Sequence, residues 1–157
     1  MKNWLKMMAL ALVSLAAVSC NEPDLNPTLK LEVTPNNIAG EWQLVKFEGA
    51  DLAPNSYVYL DLRRQNREFT EFQNVNNAYG TARTGVYNIY TDETHGAVIR
   101  GQYDYGMGVW NYRYKVTLYD DTMVWTAISD ESVVCVYERC EIPESIAALA
   151  PNKEDKK

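Results

Sequence analysis

The chain has 157 residues, with 15 lysines and arginines against 21 aspartates and glutamates, a formal net charge of −6. That acid excess, with Arg63-Arg64 the sole basic pair in the central region, excludes the cationic surface that nucleic-acid binding needs. One histidine and three cysteines leave little material for metal or thiol chemistry, whereas eleven tyrosines pose the question of what their rings pack against.

The chain opens MKNWLKMMALALVSLAAVSC. Lys2 and Lys6 form a positive leader and residues 7–18 an apolar run of about a dozen residues, too short for the roughly 20 that a spanning helix needs. Small residues then precede a cysteine in Ala17-Val18-Ser19-Cys20, which resembles the lipobox of bacterial lipoproteins. The resemblance implies cleavage after residue 19, lipid on Cys20 and membrane attachment at the outer membrane, facing the periplasm or the cell surface. An ordinary secretory signal ahead of a chance cysteine is the plainer alternative. Residues 20–36 follow as a polar, proline-broken tether whose acidic start loosely resembles the surface-export signals of Bacteroides-type lipoproteins. Cleavage would remove Lys2 and Lys6, leaving 13 basic residues against 21 acidic ones and a charge of −8.

Between residues 37 and 143 no helical periodicity of useful length occurs. Alternating and β-rich runs predict eight strands, at 41–48, 57–63, 68–74, 85–90, 97–103, 110–119, 122–128 and 133–139. Asp120-Asp121 joins the sixth and seventh in two residues, which requires an antiparallel hairpin. Short connections at 64–67 and 91–96 alternate with long ones at 49–56, 75–84 and 104–109, the last containing Gly106-Met107-Gly108. Tight turns at one end and long loops at the other predict an all-β, eight-stranded, antiparallel up-and-down barrel with one open mouth. Residues 144–157 form a C-terminal tail, with a helical turn predicted near 145–150 and a loose terminus. Five residues of strand span roughly 16 Å, more than the ~7 Å between Cα atoms that a disulfide tolerates, which argues against a bond between Cys135 and Cys140.

The start Asn37-Ile38-Ala39-Gly40-Glu41-Trp42 and the last strand's Val136-Tyr137-Glu138-Arg139-Cys140 resemble the two ends of a lipocalin barrel (calycin type). The whole pattern is similar to the lipocalin-like domain lipoproteins of Bacteroides-type bacteria. The resemblance implies that Arg139 packs across Trp42, beside Gly40, and closes the base of the barrel. A guanidinium over an indole is worth about 0.5–2 kcal/mol, and the contact would join the first strand to the last.

Catalytic groups are sparse. His95 lies in Thr91-Asp92-Glu93-Thr94-His95-Gly96, which polar turn chemistry explains better than a metal site. Glu68 and Glu71 are three apart in one strand and so face opposite sides, and Asp120-Asp121 is a turn. Asp104 is the one acid near the predicted mouth. No metal ligand set, cofactor motif or acid pair emerges, so a non-enzymatic protein is expected.

The aromatic residues are the remaining signal. Alternation puts Trp110, Tyr112 and Tyr114 on one face of the sixth strand, and Tyr103, with Tyr105 beyond it, on one face of the fifth. Gly101 leaves room for a neighbouring ring, Trp125 joins the lining, and Leu52, Tyr79 and Met107 form a rim. The sequence leaves two accounts open. The rings line a cavity for a small amphipathic ligand or glycan fragment, or they fill the barrel and the protein acts through an unidentified protein partner.

Overall fold

The computed structural model describes residues 29–75 and 77–151. The leader, Cys20, the tether up to residue 28 and residues 152–157 lie outside the described residues.

Nine strands form one antiparallel sheet: β1 (Gly40–Phe47), β2 (Ala50–Asp51), β3 (Val58–Leu62), β4 (Glu68–Gln73), β5 (Thr81–Asp92), β6 (Gly96–Tyr103), β7 (Tyr114–Leu118), β8 (Thr122–Ala127) and β9 (Val134–Arg139). Each strand from β3 onward pairs with the next, and β9 returns to pair with β1, so eight strands close the barrel. The two-residue β2 lies outside the closure, folded back on β1 by a turn at Glu48 and Gly49, both with positive φ.

Alternation dictates which side chains turn inward. Trp42 and Leu44 on β1 meet Leu60 and Leu62 on β3 and Tyr137 on β9, while Val116, Leu118, Met123 and Trp125 come from β7 and β8. Trp42, Leu62, Leu118 and Met123 are at most 1% exposed, so the end of the barrel near Asp120-Asp121 is packed solid. Residues 29–39 cover that end. Leu31 pairs with Leu118, and Ile38 is fully buried beneath the Trp42 indole, whose Nε1 donates to the Ile38 carbonyl at 2.9 Å.

Large rings elsewhere need small neighbours. Gly85 stands between Phe69 and Tyr103 in register, and Gly101 stands beside Tyr87. A Cβ on Gly101 would lie 2.2 Å from the Trp110 ring, so the missing side chain is the space that the indole occupies.

Beyond shifts of one or two residues at strand ends, three departures from the sequence expectation matter. The sixth predicted strand begins at Tyr114 rather than at residue 110, because Val109 bridges back to Gln102 and the Trp110 amide donates to the Gly101 carbonyl at 3.0 Å. β5 runs through residues 81–84, expected as loop; there its inward residue is Arg83, which hides the strand from a hydrophobic pattern. The loop expected at 49–56 contributes β2. On the outside, α1 (Glu144–Ala147) leads the chain past Leu149, which sits against Gly80, to Ala150 and Pro151 beside Thr70 and Thr84. Cys135 and Cys140 carry free thiols.

Candidate functional site

The two ends of the barrel differ in chemistry. At the closed end the Arg139 guanidinium lies 4.2 Å from the centroid of the Trp42 ring. Its Nε donates to the Asp120 carbonyl at 2.8 Å, Nη1 to that of Ala39 at 3.0 Å and Nη2 to that of Asn37 at 2.7 Å. One side chain thus ties the last strand, the β7–β8 turn and the segment that caps the barrel. Gly40 has φ +127°, and a Cβ there would sit 2.9 Å from Nη1, so both conformation and space require glycine.

Toward the other end the barrel opens into a cavity of about 260 Å³. Four of its twelve lining residues, Val58, Leu60, Met107 and Val109, are aliphatic; the others carry polar groups or aromatic rings. The rings make one connected wall. Trp125 lies 5.2 Å from Trp110, 5.4 Å from Tyr114 and 5.0 Å from Tyr137, and Phe69 meets Trp110 edge-on at 5.0 Å. Among the described residues the buried indole N–H groups of Trp110 and Trp125 meet no acceptor, a state that costs about 1–3 kcal/mol per group.

Glu71 and Arg83, directly opposite in register on β4 and β5, both point into this space. Among the described residues no ion pair forms between them. The Tyr103 hydroxyl donates to Glu71 Oε2 at 3.3 Å, and the Arg83 guanidinium lies 5.8 Å from the Tyr103 ring centroid. Burial pushes the Glu71 carboxyl above its ordinary value, opposed in part by Arg83 and the Tyr103 hydrogen bond. Burial, with Glu71 adding to it, also pushes Tyr103 up to about 12, so its hydroxyl is a donor throughout the neutral range. Tyr114 and Tyr137 are raised by the same causes, burial first and then Cys135.

The family model of the lipocalin-like domain matches residues 38–125. The chain belongs to the lipocalin-like domain family. No curated protein matches it. The match spans β1 to most of β8, and the structure adds the returning β9 that closes this lipocalin-like barrel.

The structure brings together Tyr103, Trp110, Tyr114 and Trp125 of the residues expected to meet a ligand, and separates two others. Tyr105, expected on the same face, is 64% exposed with φ 57° in the turn after β6, because the chain reverses at residues 104–107 instead of continuing as strand. Tyr112 lies edge-on to Tyr114 at 5.9 Å and does not line the cavity, although residues 110–113, which are not strand, still alternate in exposure. Of the expected rim, Met107 lines the cavity, while Leu52 packs against the core and Tyr79 is 82% exposed. Asp104 accepts the Thr84 hydroxyl at 2.7 Å within the turn, and the acid in the cavity is Glu71 instead. Glu71 is the one carboxylate among the described lining residues, so paired-acid glycoside chemistry has no second partner there.

His95 Nδ1 lies 2.8 Å from Asp92 Oδ1, which also accepts the amides of Thr94 and His95, an arrangement that closes the β5–β6 turn. Those bonds, the His95 ring's first, hold Asp92 below its ordinary value. Among the described residues no group of three or more potential ligands could hold a metal ion. Glu71 was not legible as inward, because Phe69 and Phe72 lie on opposite faces of β4 and alternation does not choose between them. Arg83 and Tyr137 carried no signal either, the first lying in an expected loop and the second in a short apolar strand.

Proposed function

We propose that this lipocalin-like protein is a membrane-anchored, non-enzymatic binding lipoprotein that takes a small amphipathic ligand or glycan fragment into the mouth of its barrel. The observation that carries the proposal is the cavity itself, with Glu71, Arg83 and an aromatic wall around one space. A cavity of about 260 Å³ that opens to solvent has room for a ring-sized molecule or for one end of a larger one. The lipobox-like Ala17-Val18-Ser19-Cys20 supports the anchorage, at the outer membrane in this reading. A second reading, an accessory envelope lipoprotein with a filled barrel and a protein partner, is favoured by the ring-to-ring packing of Trp125.

The test is a titration of tryptophan fluorescence and thermal stability with a library of small amphipathic molecules and sugars, on the chain carrying Cys20→Ser. A ligand at a hundredfold excess over its Kd stabilises the fold by about 2.7 kcal/mol. The response disappears in Trp110→Ala if the cavity is the site. No response from any member would transfer the case to the filled barrel. Anchorage is read separately, as palmitate incorporation that Cys20→Ser abolishes.

A further inference from the structure

Resting on that binding function, we infer that the cavity selects a neutral, polyhydroxylated ring of monosaccharide size, stacked on Trp110 with neighbouring hydroxyls spanning Glu71 and Arg83. The argument is one of sign, size and unmatched groups. Glu71 and Arg83 face one space from adjacent strands and are not joined in an ion pair among the described residues. An organic cation drawn to Glu71 meets Arg83, and a carboxylate drawn to Arg83 meets Glu71. A hydrocarbon would strip water from both and return nothing.

A hydroxyl suits both partners, because it donates to a carboxylate and accepts from a guanidinium. Two adjacent hydroxyls on a ring therefore bridge the pair without leaving a charge unmatched. Tyr103 already holds Oε2 of Glu71, and among the described residues no donor meets Oε1. The wall supplies the rest of the recognition. Trp110, half-buried beside the cavity, is the ring that meets the apolar side of a sugar, and Trp125, 4% exposed and 5.2 Å away, supports it by packing. The cavity has room for one such ring and opens to solvent, so a longer glycan would enter by a terminal residue.

The experiment uses the chain carrying Cys20→Ser and three probe classes: neutral hexoses with N-acetylhexosamines, benzylammonium, and phenylacetate. Tryptophan fluorescence and melting temperature are followed to high millimolar concentration. A neutral sugar is expected to bind, benzylammonium and phenylacetate are not, and Glu71→Gln and Arg83→Gln each weaken the sugar about tenfold, the loss of one charge-assisted hydrogen bond. Near-ultraviolet circular dichroism confirms that each variant keeps its packing. Binding of benzylammonium or phenylacetate in place of sugars would overturn the ligand class and leave the binding function standing. A sugar bound equally well by both variants would overturn the Glu71–Arg83 assignment. Silence from all three classes would remove both the inference and the function beneath it.

Discussion

Replacing Arg139 by methionine keeps most of the aliphatic stem and removes the charged fork. The structure assigns that fork three hydrogen bonds to backbone carbonyls, at 2.7, 2.8 and 3.0 Å, and a stacking contact at 4.2 Å on a fully buried indole. Arg139 is itself exposed, so water can replace it at the carbonyls, and each bond is taken at about 1 kcal/mol rather than at the value for a buried charge. The cation–π contact adds about 1 kcal/mol, for a total of about 4 kcal/mol. Against the roughly 5–15 kcal/mol that holds a domain together, this is a large fraction. At about 3–4 °C per kcal/mol for a chain of this length, the melting temperature falls by roughly 12–16 °C. Lysine keeps a charge over the indole without reaching three carbonyls, so Arg139→Lys loses about half as much. Urea unfolding of both variants, and of each combined with Trp42→Leu, measures the terms and their coupling. A methionine variant within about 1 kcal/mol of the parent, or a lysine variant equal to it, would refute the claim that this side chain fastens the closed end.

Gly101→Ala places a Cβ 2.2 Å from the Trp110 ring, so the indole must leave its seat; a cost of about 1–3 kcal/mol and a red-shifted tryptophan emission are expected, and an unchanged spectrum would contradict the packing. Burial raises Glu71 above its ordinary 4.5, so the proton binds the folded state more tightly. Its stabilising contribution is therefore complete below the unfolded-state value and is lost as pH rises through the folded-state value. Glu71→Gln should accordingly be more stable than the parent at pH 7, with the gap closing as the solution is acidified. Urea midpoints across that range test the sign, and a variant less stable at pH 7 would show that Arg83 outweighs desolvation. Burial pushes the thiols of Cys135 and Cys140 up to about 11, Tyr137 opposing it at the first and Glu41 adding to it at the second. Neither should react with iodoacetamide in the native chain near neutral pH, and both should react in urea; rapid native labelling of Cys135 would contradict its burial.

The barrel was legible where alternation is driven by apolar residues. Met123, Trp125 and Ala127 of β8, or Leu60 and Leu62 of β3, announce their inward face because nothing else competes for it. The Trp42–Arg139 contact was legible through family resemblance and not through periodicity, since an arginine at the end of a strand reads as an ordinary surface charge. The cavity was legible only in part. Its polar wall violates the rule used to find strands, so Arg83 fell in an expected loop and the start of β5 was missed with it. Trp110 was assigned to the right space for the wrong reason. It enters from a loop folded back over Gly101, and Tyr112, two residues on and edge-on to Tyr114, does not reach the cavity.

The contrast between the two ends is the strongest physical case for a binding site. At the closed end every conspicuous donor is matched: the Trp42 indole reaches the Ile38 carbonyl, and Arg139 reaches three more. At the open end the same residue types are treated differently, with two indole donors lacking acceptors and a carboxylate held against its desolvation. Stability alone does not account for this, because well-packed apolar residues commonly replace a buried acid and base with no loss and often with a gain of 1–4 kcal/mol. A barrel serving only as a filled scaffold would have little use for Glu71 and Arg83 in its mouth. Under the proposed function, a polar ligand meets Glu71 and Arg83 in the cavity and offsets the cost of burying them.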